Sequence, residues 1–254
     1  MARVRTLAQA AAYIDRVGFC LLFPIKGLRL PSLWAAVKGK APRDPSASLR
    51  ASFNLVAEWD DDALRLWEWK DLLPRRRLAF SGKVFRGKKS LISLHFLPCF
   101  YRLARFGLAG NYGSADEYSH LYREGKISPE ARAICQQIFR RGPQATLELR
   151  HALGWSTPRQ NRRFQRALEE LQRRLLIVPW GVKAETRAWE SVVYQLTPRA
   201  FPRAVRAAAC LSRAEARDRI AENYRRLVPN AAPADAARLF GWPAADARAA
   251  FALN

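Results

Sequence analysis

Arginine is the residue type best placed to do chemistry in this sequence, and six arginines lie within positions 159 to 174. A guanidinium group is always charged, and its planar fork of N–H donors matches the oxygens of a phosphate. At about 100° per residue, four of the six fall on one side of a helix: Arg159, Arg162, Arg166 and Arg173. The opposite side is apolar and carries Phe164, Leu168, Leu171 and Leu175. The pattern therefore predicts an amphipathic helix whose outward face presents a row of cations.

The residues around this helix indicate how it is positioned. Thr157, Pro158 and Gln160 form an N-terminal capping pattern, so the helix is predicted to begin near Pro158. Two shorter helices are predicted before it, the second over residues 147–153 with Thr146 as its cap. After it, LLIVPWGV and AWESVVYQL have the composition of two strands around a polar tip. Three helices and a hairpin predict a winged helix, in which the arginine helix takes the place of the recognition helix.

The winged-helix interpretation predicts which side chains contact DNA. In that fold the third helix lies in the major groove, and the hairpin contacts the backbone or the minor groove. Candidate residues are therefore found on the arginine helix and on two predicted hairpins. They are Arg159, Asn161, Arg162, Arg163, Arg166, Arg173, Lys183, Arg86, Lys88 and Lys89. The alternative for the helix is a row of charges that is solvated and binds nothing.

The overall charge favours a polyanionic partner. The chain has 44 Lys plus Arg against 22 Asp plus Glu, a formal net charge of +22 at pH 7. Self-repulsion at this charge destabilises the compact state, and the usual reason for it is a nucleic acid. Mutational bias exchanges Lys for Arg but does not produce twice as many basic residues as acidic residues. Double-stranded DNA is the predicted partner, and the 49% hydrophobic content excludes a disordered chain.

The first part of the chain repeats the same pattern less clearly. Helices are predicted over residues 6–17, 31–38 and 60–74, followed by strands on both sides of Arg86 to Lys88. The predicted fold class is mainly α with β-hairpins, built from tandem winged-helix modules. The predicted divisions are a winged-helix-like module over 1–107, a linker over 108–126 that packs on the modules without joining their cores, a winged-helix DNA-binding module over 127–202 and a helical, helix-turn-helix-like segment over 203–254.

Other features narrow the class of protein. Four cysteines are scattered in apolar surroundings, which predicts buried free thiols and no metal site. They are Cys20, Cys99, Cys135 and Cys210. No apolar run approaches 18 residues, and the N-terminus resembles a capped helix more than a signal peptide. We expect a cytoplasmic protein associated with the nucleoid, with no cofactor and no membrane partner, and the sequence does not indicate its oligomeric state.

Several segments together resemble a known family. The chain is similar to the AlkZ-like winged-helix DNA glycosylases and their relatives, most clearly over residues 120–254. The segments that carry this similarity are GKISPEARAICQQIFRRGPQATLELRHALGW, RRFQRALEELQRRLLIVPWGV and WESVVYQLTPRAFP. The resemblance implies tandem winged helices that hold duplex DNA. In active members it also implies a Gln-x-Gln motif that positions a water for excision of alkylated bases. The matching frame here is GFCLLFPIKG, where Leu21, Leu22 and Phe23 stand and no glutamine is present.

Three functions follow from these observations. Leu and Phe hold no water and stabilise no oxocarbenium-like centre, so we expect a non-catalytic protein that binds double-stranded DNA, a regulator or an accessory repair factor. The first alternative is an active DNA glycosylase for alkylated or crosslinked bases, for which Glu58 and Asp61 are weak candidates. Those carboxylates more simply favour the positive end of a helix dipole. The second alternative is a winged-helix scaffold for RNA or an acidic protein.

Duplex binding is predicted to weaken steeply with salt. Each phosphate neutralised by Lys or Arg contributes a slope of about −0.9 in log affinity against log salt concentration. If the arginine helix and the hairpin tips engage DNA together, the slope is expected to be about −4 or steeper. Titrations of one labelled duplex between low and physiological salt measure it, and an affinity that does not change with salt contradicts the nucleic-acid interpretation.

Overall fold

The computed structural model describes residues 3–39, 60–105, 113–186 and 189–252, and it is mainly helical with two small antiparallel sheets. The helices are α1 (Leu7–Val17), α2 (Leu33–Lys38), α3 (Asp61–Arg75), α4 (Leu97–Ala104), α5 (Glu117–Arg123), α6 (Pro129–Arg141), α7 (Thr146–Ala152), α8 (Pro158–Arg173), α9 (Thr197–Ala200), α10 (Pro202–Ala209), α11 (Arg213–Leu227), α12 (Pro233–Phe240) and α13 (Ala244–Phe251). The strands are β1 (Phe19–Leu21), β2 (Ala79–Phe85), β3 (Lys88–Ser93), β4 (Gln144–Ala145), β5 (Ile177–Thr186) and β6 (Trp189–Leu196).

Two parts of the chain have the same order of elements over the residues that the structure describes. The first unit runs α1, β1, α2, α3, β2, β3, and its sheet has the strand order β1-β3-β2. The second unit runs α6, β4, α7, α8, β5, β6, and its sheet has the order β4-β6-β5. The predicted mainly helical fold with hairpins is confirmed. The third strand of each sheet was not predicted, because three and two residues are too few to show an alternating pattern.

Local capping determines where six of these helices begin. A Ser, Thr or Asp side chain accepts a hydrogen bond from the N–H three residues later at Thr6, Ser32, Asp60, Ser128, Thr157 and Ser212. The predicted start of α8 is therefore confirmed, with Gln160 completing its capping box. The predicted cap Thr146 is wrong by one position. Glu148 accepts from the N–H of Ala145 at 2.8 Å, so Thr146 is already the first helical residue of α7.

The second unit has its own apolar core, built on the inward face of α8. Phe164, Leu168 and Leu171 are buried there together with side chains from α6 and from the second sheet. Tyr118 and Leu121 of α5 are buried in the same cluster. The prediction that residues 108–126 join neither core is therefore wrong for α5. Its apolar residues lie on one face of a helix too short to be recognised from its period.

A second core joins the first sheet to the C-terminal helices. Phe240 of α12 contacts Phe19, Phe85 and Phe100, with ring centroids 5.7 to 6.0 Å apart. Leu239 is buried in the same cluster. The C-terminal segment therefore shares its core with the first unit.

The two units contact each other reciprocally. Helix α3 of the first unit packs on β5 of the second, and α8 of the second packs on β2 of the first. Lys83 of β2 and Glu169 of α8 form an ion pair across this contact. The C-terminal half of α8 is thereby held against the first hairpin.

One buried ion pair fixes the end of α8. The Arg105 guanidinium lies 2.6 Å from a carboxylate oxygen of Glu117, and both side chains are almost fully excluded from solvent. Arg105 also donates to the carbonyl oxygens of Arg174 and Leu175, the first two residues after α8. Tyr101 donates its hydroxyl proton to Glu117 and lies under the guanidinium. These contacts satisfy a charge that burial alone would make very costly.

Three of the four cysteines are buried as predicted, and the prediction is wrong for Cys210, which is exposed just after α10. Among the described helices, none is both long and apolar enough to cross a membrane.

Removing one partner of the buried ion pair is predicted to be strongly destabilising. In Glu117→Ala the Arg105 charge stays buried without a carboxylate, so the free energy of unfolding is expected to fall by about 3 to 5 kcal/mol. The double variant Arg105→Met with Glu117→Leu replaces the pair by apolar groups and is expected to recover most of the loss. Urea denaturation measures both, and a loss below about 1 kcal/mol in Glu117→Ala contradicts the assigned role.

Candidate nucleic-acid interface

The outward face of α8 is an exposed row of arginines, as predicted. Arg159, Arg162, Arg166 and Arg173 are all exposed, and within the described residues no carboxylate lies within ion-pair distance of any of them. At 1.5 Å per residue the row is about 21 Å long. We refer to these four residues as the arginine row.

Two other predicted residues of α8 lie outside the row. Arg163 is exposed but lies 3.3 Å from Glu130 of α6, so part of its charge is neutralised. Asn161 is half-buried, and its Oδ1 atom is buried without a hydrogen-bond partner in the described parts of the chain. Its position on the helix turns its side chain towards the core side of α8.

The predicted cation of the second hairpin is already engaged. Lys183 forms an ion pair with Glu148 of α7, and about half of each side chain is accessible. The hydrogen bond from Lys183, followed by the one from the N–H of Ala145, lowers the pKa of Glu148. A half-exposed pair of this kind contributes little to stability, so Lys183 can exchange Glu148 for a phosphate at small cost.

The first hairpin separates its two lysines. Lys88 is exposed, whereas Lys89 is half-buried beside Lys70 and Asp71 of α3. Side chains alternate along a strand, so Lys89 shares the face of Leu91, which packs in the core around α3. Burial, followed by the charge of Lys70, lowers the pKa of Lys89 to about 8. Of the three cations predicted as DNA contacts on this hairpin, Lys89 is therefore the one that is turned inward.

Arg86 and Gly87 form the tip of the same hairpin. Both have positive φ, 53° and 70°, as a two-residue type I′ turn between Phe85 and Lys88 requires. Glycine adopts this conformation freely, but an L-residue such as arginine is strained in it by roughly 1 to 2 kcal/mol. The turn directs an exposed arginine towards the C-terminal helices, where its guanidinium lies 3.4 Å from the carbonyl oxygen of Arg238.

A groove of about 950 Å³ lies between the first hairpin, the end of α8 and the C-terminal helices. We call it the basic groove. Among the described residues, six cations line it: Arg86, Lys88, Arg173, Arg213, Arg217 and Arg238. Two carboxylates, Glu169 and Asp246, lie among its lining residues. The groove therefore brings together residues predicted from the helix and from the hairpin, and Arg173 is both the last member of the arginine row and part of its wall.

Half of the groove cations were not predicted as site residues. Arg213 lies 2.6 Å from Asp246, Arg217 lies 3.7 Å from the same carboxylate, and Arg238 lies 2.7 Å from Asp235. They belong to the C-terminal segment, whose position beside the first hairpin cannot be deduced from its own pattern. The charged stretch SRAEARDR, which contains Arg213 and Arg217, was the sequence feature that could have pointed to them.

One wall of the basic groove is aromatic. Trp242 is half-buried and lies against Phe240, with ring centroids 4.8 Å apart and planes inclined by 32°. Gly241 has φ of 71° and closes α12, and the N–H of Trp242 donates to the carbonyl of Ala237 at 3.2 Å. The sequence indicated only a break between two helices at this place.

The residues at the expected catalytic frame are apolar and packed. Leu21 and Leu22 have no exposed surface, and Phe23 packs on Trp34 with ring centroids 5.4 Å apart. Asp61 is exposed in the first turn of α3. Glu58 lies outside the described residues.

These features define a basic, mainly helical protein with two equivalent helix–sheet units and a cation-lined groove. The model of the AlkZ-related family matches residues 4–241, and the chain belongs to that family. The resemblance to this family that the sequence motifs indicated is therefore confirmed. No curated protein and no solved structure matches the chain significantly.

The two ends of the arginine row are predicted to act differently. Arg162 lies near the start of α8, where a recognition helix approaches base edges, so Arg162→Ala is expected to reduce discrimination between sequences by about 1 to 3 kcal/mol. Arg173→Ala is expected to weaken binding about equally on all sequences and to reduce the salt slope by about one. Titrations on a panel of duplexes measure both. Unchanged binding in both variants, with the fold intact, means that the row is only solvated.

Lys89→Met is predicted to stabilise the protein. The folded protein releases this proton near pH 8 and the unfolded chain near 10.5. The penalty for the buried charge is therefore complete below pH 8 and fades between pH 8 and 10.5. The variant is expected to gain roughly 1 to 3 kcal/mol at pH 7, with a smaller gain at pH 10. Urea denaturation at both pH values measures this, and unchanged stability with weaker DNA binding would instead identify Lys89 as a phosphate contact.

Proposed function

We propose that this protein binds double-stranded DNA through the arginine row, with α8 in the major groove. Each helix–sheet unit has the element order of a winged helix, and α8 is the third helix of its unit. The arrangement is therefore interpreted as tandem winged helices. The observation that carries the proposal is that the row is exposed and lacks carboxylate partners among the described residues, although the chain offers several elsewhere.

The charges beyond α8 support the same partner. Arg86 and Lys88 extend the cationic surface from the end of the row across the first hairpin. Phosphates are the ligands that such a surface neutralises, and they position a duplex without reading its sequence. Membership of the AlkZ-related family adds a DNA-repair context.

We propose further that the protein acts without excising bases, as a regulator or an accessory repair factor. Hydrolysis of a glycosidic bond needs a polar side chain beside the sugar. Leu21 and Leu22 are fully buried, and Phe23 is occupied by its contact with Trp34. Asp61, in the first turn of α3, is suited to favour the positive end of that helix.

The test uses the full chain and two kinds of assay. Fluorescence anisotropy on a plain duplex is expected to show salt-dependent binding that Arg162→Ala combined with Arg166→Ala weakens at least tenfold. Arg206→Ala removes the same kind of charge from α10, where Arg206 is exposed, and serves as the matched control. Absence of duplex binding by the folded protein overturns the proposal.

The second assay addresses catalysis. Duplex containing an alkylated purine is incubated with the protein, and abasic sites are then cleaved by heat and alkali. We expect no strand cleavage above the background. Base release that disappears in Asp61→Asn would identify the protein as a glycosylase with a different catalytic group.

A further inference from the structure

The basic groove differs from the arginine row in the chemistry it offers. The row is a line of exposed guanidinium groups on a convex helix, which suits the outside of a duplex. The groove adds an aromatic wall, Trp242 on Phe240, and an apolar floor that includes Phe85 and Phe100. Apolar and aromatic surface binds the faces of bases, and in a duplex those faces are already stacked on each other.

We propose that the basic groove binds an unpaired DNA strand that continues from the duplex held on the arginine row. This inference rests on the proposed function and adds a substrate class to it: DNA in which a duplex gives way to a single strand. Arg173 joins the two surfaces, because it ends the row and lines the groove. A strand that leaves the duplex at the end of α8 therefore meets the groove next.

The charges of the groove fit the backbone of such a strand. Its described lining holds six cations and two carboxylates, and the three cations nearest the row and the hairpin have no ion pair among the described residues: Arg86, Lys88 and Arg173. Binding sites for single strands combine a cationic track for phosphates with aromatic rings for bases. At about 950 Å³ the groove lies in the size range of sites for small organic molecules, so a short stretch of single strand fits inside it.

The backbone of the hairpin supports a functional role for Arg86. The turn holds this arginine at φ of 53°, a conformation that Asn or Gly adopts with less strain. Its side chain makes one described hydrogen bond, to the carbonyl of Arg238 at the far wall. Strained non-glycine residues are often found at binding sites, where the surrounding structure holds them in place. Arg86 thus spans the mouth of the groove from the hairpin to α12.

The experiment compares two DNA molecules of equal duplex length, one blunt and one with a single-stranded extension of about six nucleotides. The unmodified protein is expected to bind the extended DNA about tenfold more tightly than the blunt duplex, since stacking of even one base contributes on this scale. Trp242→Leu keeps an apolar contact with Phe240 but removes the stacking surface. It is expected to abolish the preference and to leave the affinity for the blunt duplex unchanged.

Two further variants separate this inference from the proposed function. Arg162→Ala with Arg166→Ala is expected to weaken both DNA molecules alike and to preserve their ratio. Arg86→Asn is expected to reduce the preference at least threefold while the melting temperature stays equal or rises, because the strain in the turn is relieved. A merely structural role of Arg86 would lower the melting temperature and leave the ratio unchanged.

The outcomes are distinct. Binding to the blunt duplex without any preference for the extension overturns the inference and leaves the proposed function standing. A preference that survives in both Trp242→Leu and Arg86→Asn, each with an intact melting transition, also overturns it. Failure to bind either DNA overturns the proposed function itself. A 2-aminopurine base in the extension, whose fluorescence changes on stacking, is expected to respond to the unmodified protein and not to Trp242→Leu.

Discussion

The buried ion pair between Arg105 and Glu117 is the contact on which the position of α8 depends. Arg105 ends α4, Glu117 begins α5, and the carbonyl oxygens that Arg105 binds belong to the residues that follow α8. Three separate parts of the chain are therefore joined at one guanidinium group. Such a network is stabilising because its charges are matched, since an unmatched buried charge costs several kcal/mol. The Arg105 charge is paired with Glu117, while its Nε atom has no hydrogen-bond partner among the described residues. The contacts with the two carbonyls after α8 hold the end of the helix and thereby the direction of the arginine row.

Around that contact the two helix–sheet units have taken different roles. Helix α8 and α3 occupy equivalent places in their units and contact each other's hairpins, but their charges differ. The exposed face of α8 is almost entirely cationic, whereas α3 carries four carboxylates and three cations, of which Lys70 and Asp71 form a buried ion pair with each other. One unit thus supports the structure while the other presents charge. The C-terminal helices complete the first unit by packing Phe240 onto its sheet.

Much of this architecture could be predicted from the sequence because its signals are local. The cap at Thr157, the helical period of Phe164, Leu168 and Leu171, and the hairpin of β5 and β6 each lie within a short window, and all three are confirmed. The placement of Leu175 on the same helical stripe is wrong, because α8 ends at Arg173 and Leu175, with φ of 53°, lies in the core shared with the C-terminal helices. The basic groove could not be predicted, because it forms between segments that are distant in the sequence: the first hairpin, the end of α8 and the C-terminal helices. Lys89 is a single residue whose surroundings likewise could not be predicted from its sequence neighbours. It was grouped with Arg86 and Lys88 as a candidate DNA contact, but the strand register and the packing of α3 turn it inward.

The contacts that hold the C-terminal half of α8 also affect how a partner can bind. The Lys83–Glu169 pair and the Arg105 network hold the C-terminal half of the helix, so the angle between its exposed face and the groove is a property of the folded protein. A partner that touches both surfaces must therefore change its own curvature to fit. For a nucleic acid, the energy of bending depends on the base steps being bent. A duplex that contacted both surfaces would then bind best where its base steps bend most easily, including at positions that no side chain touches.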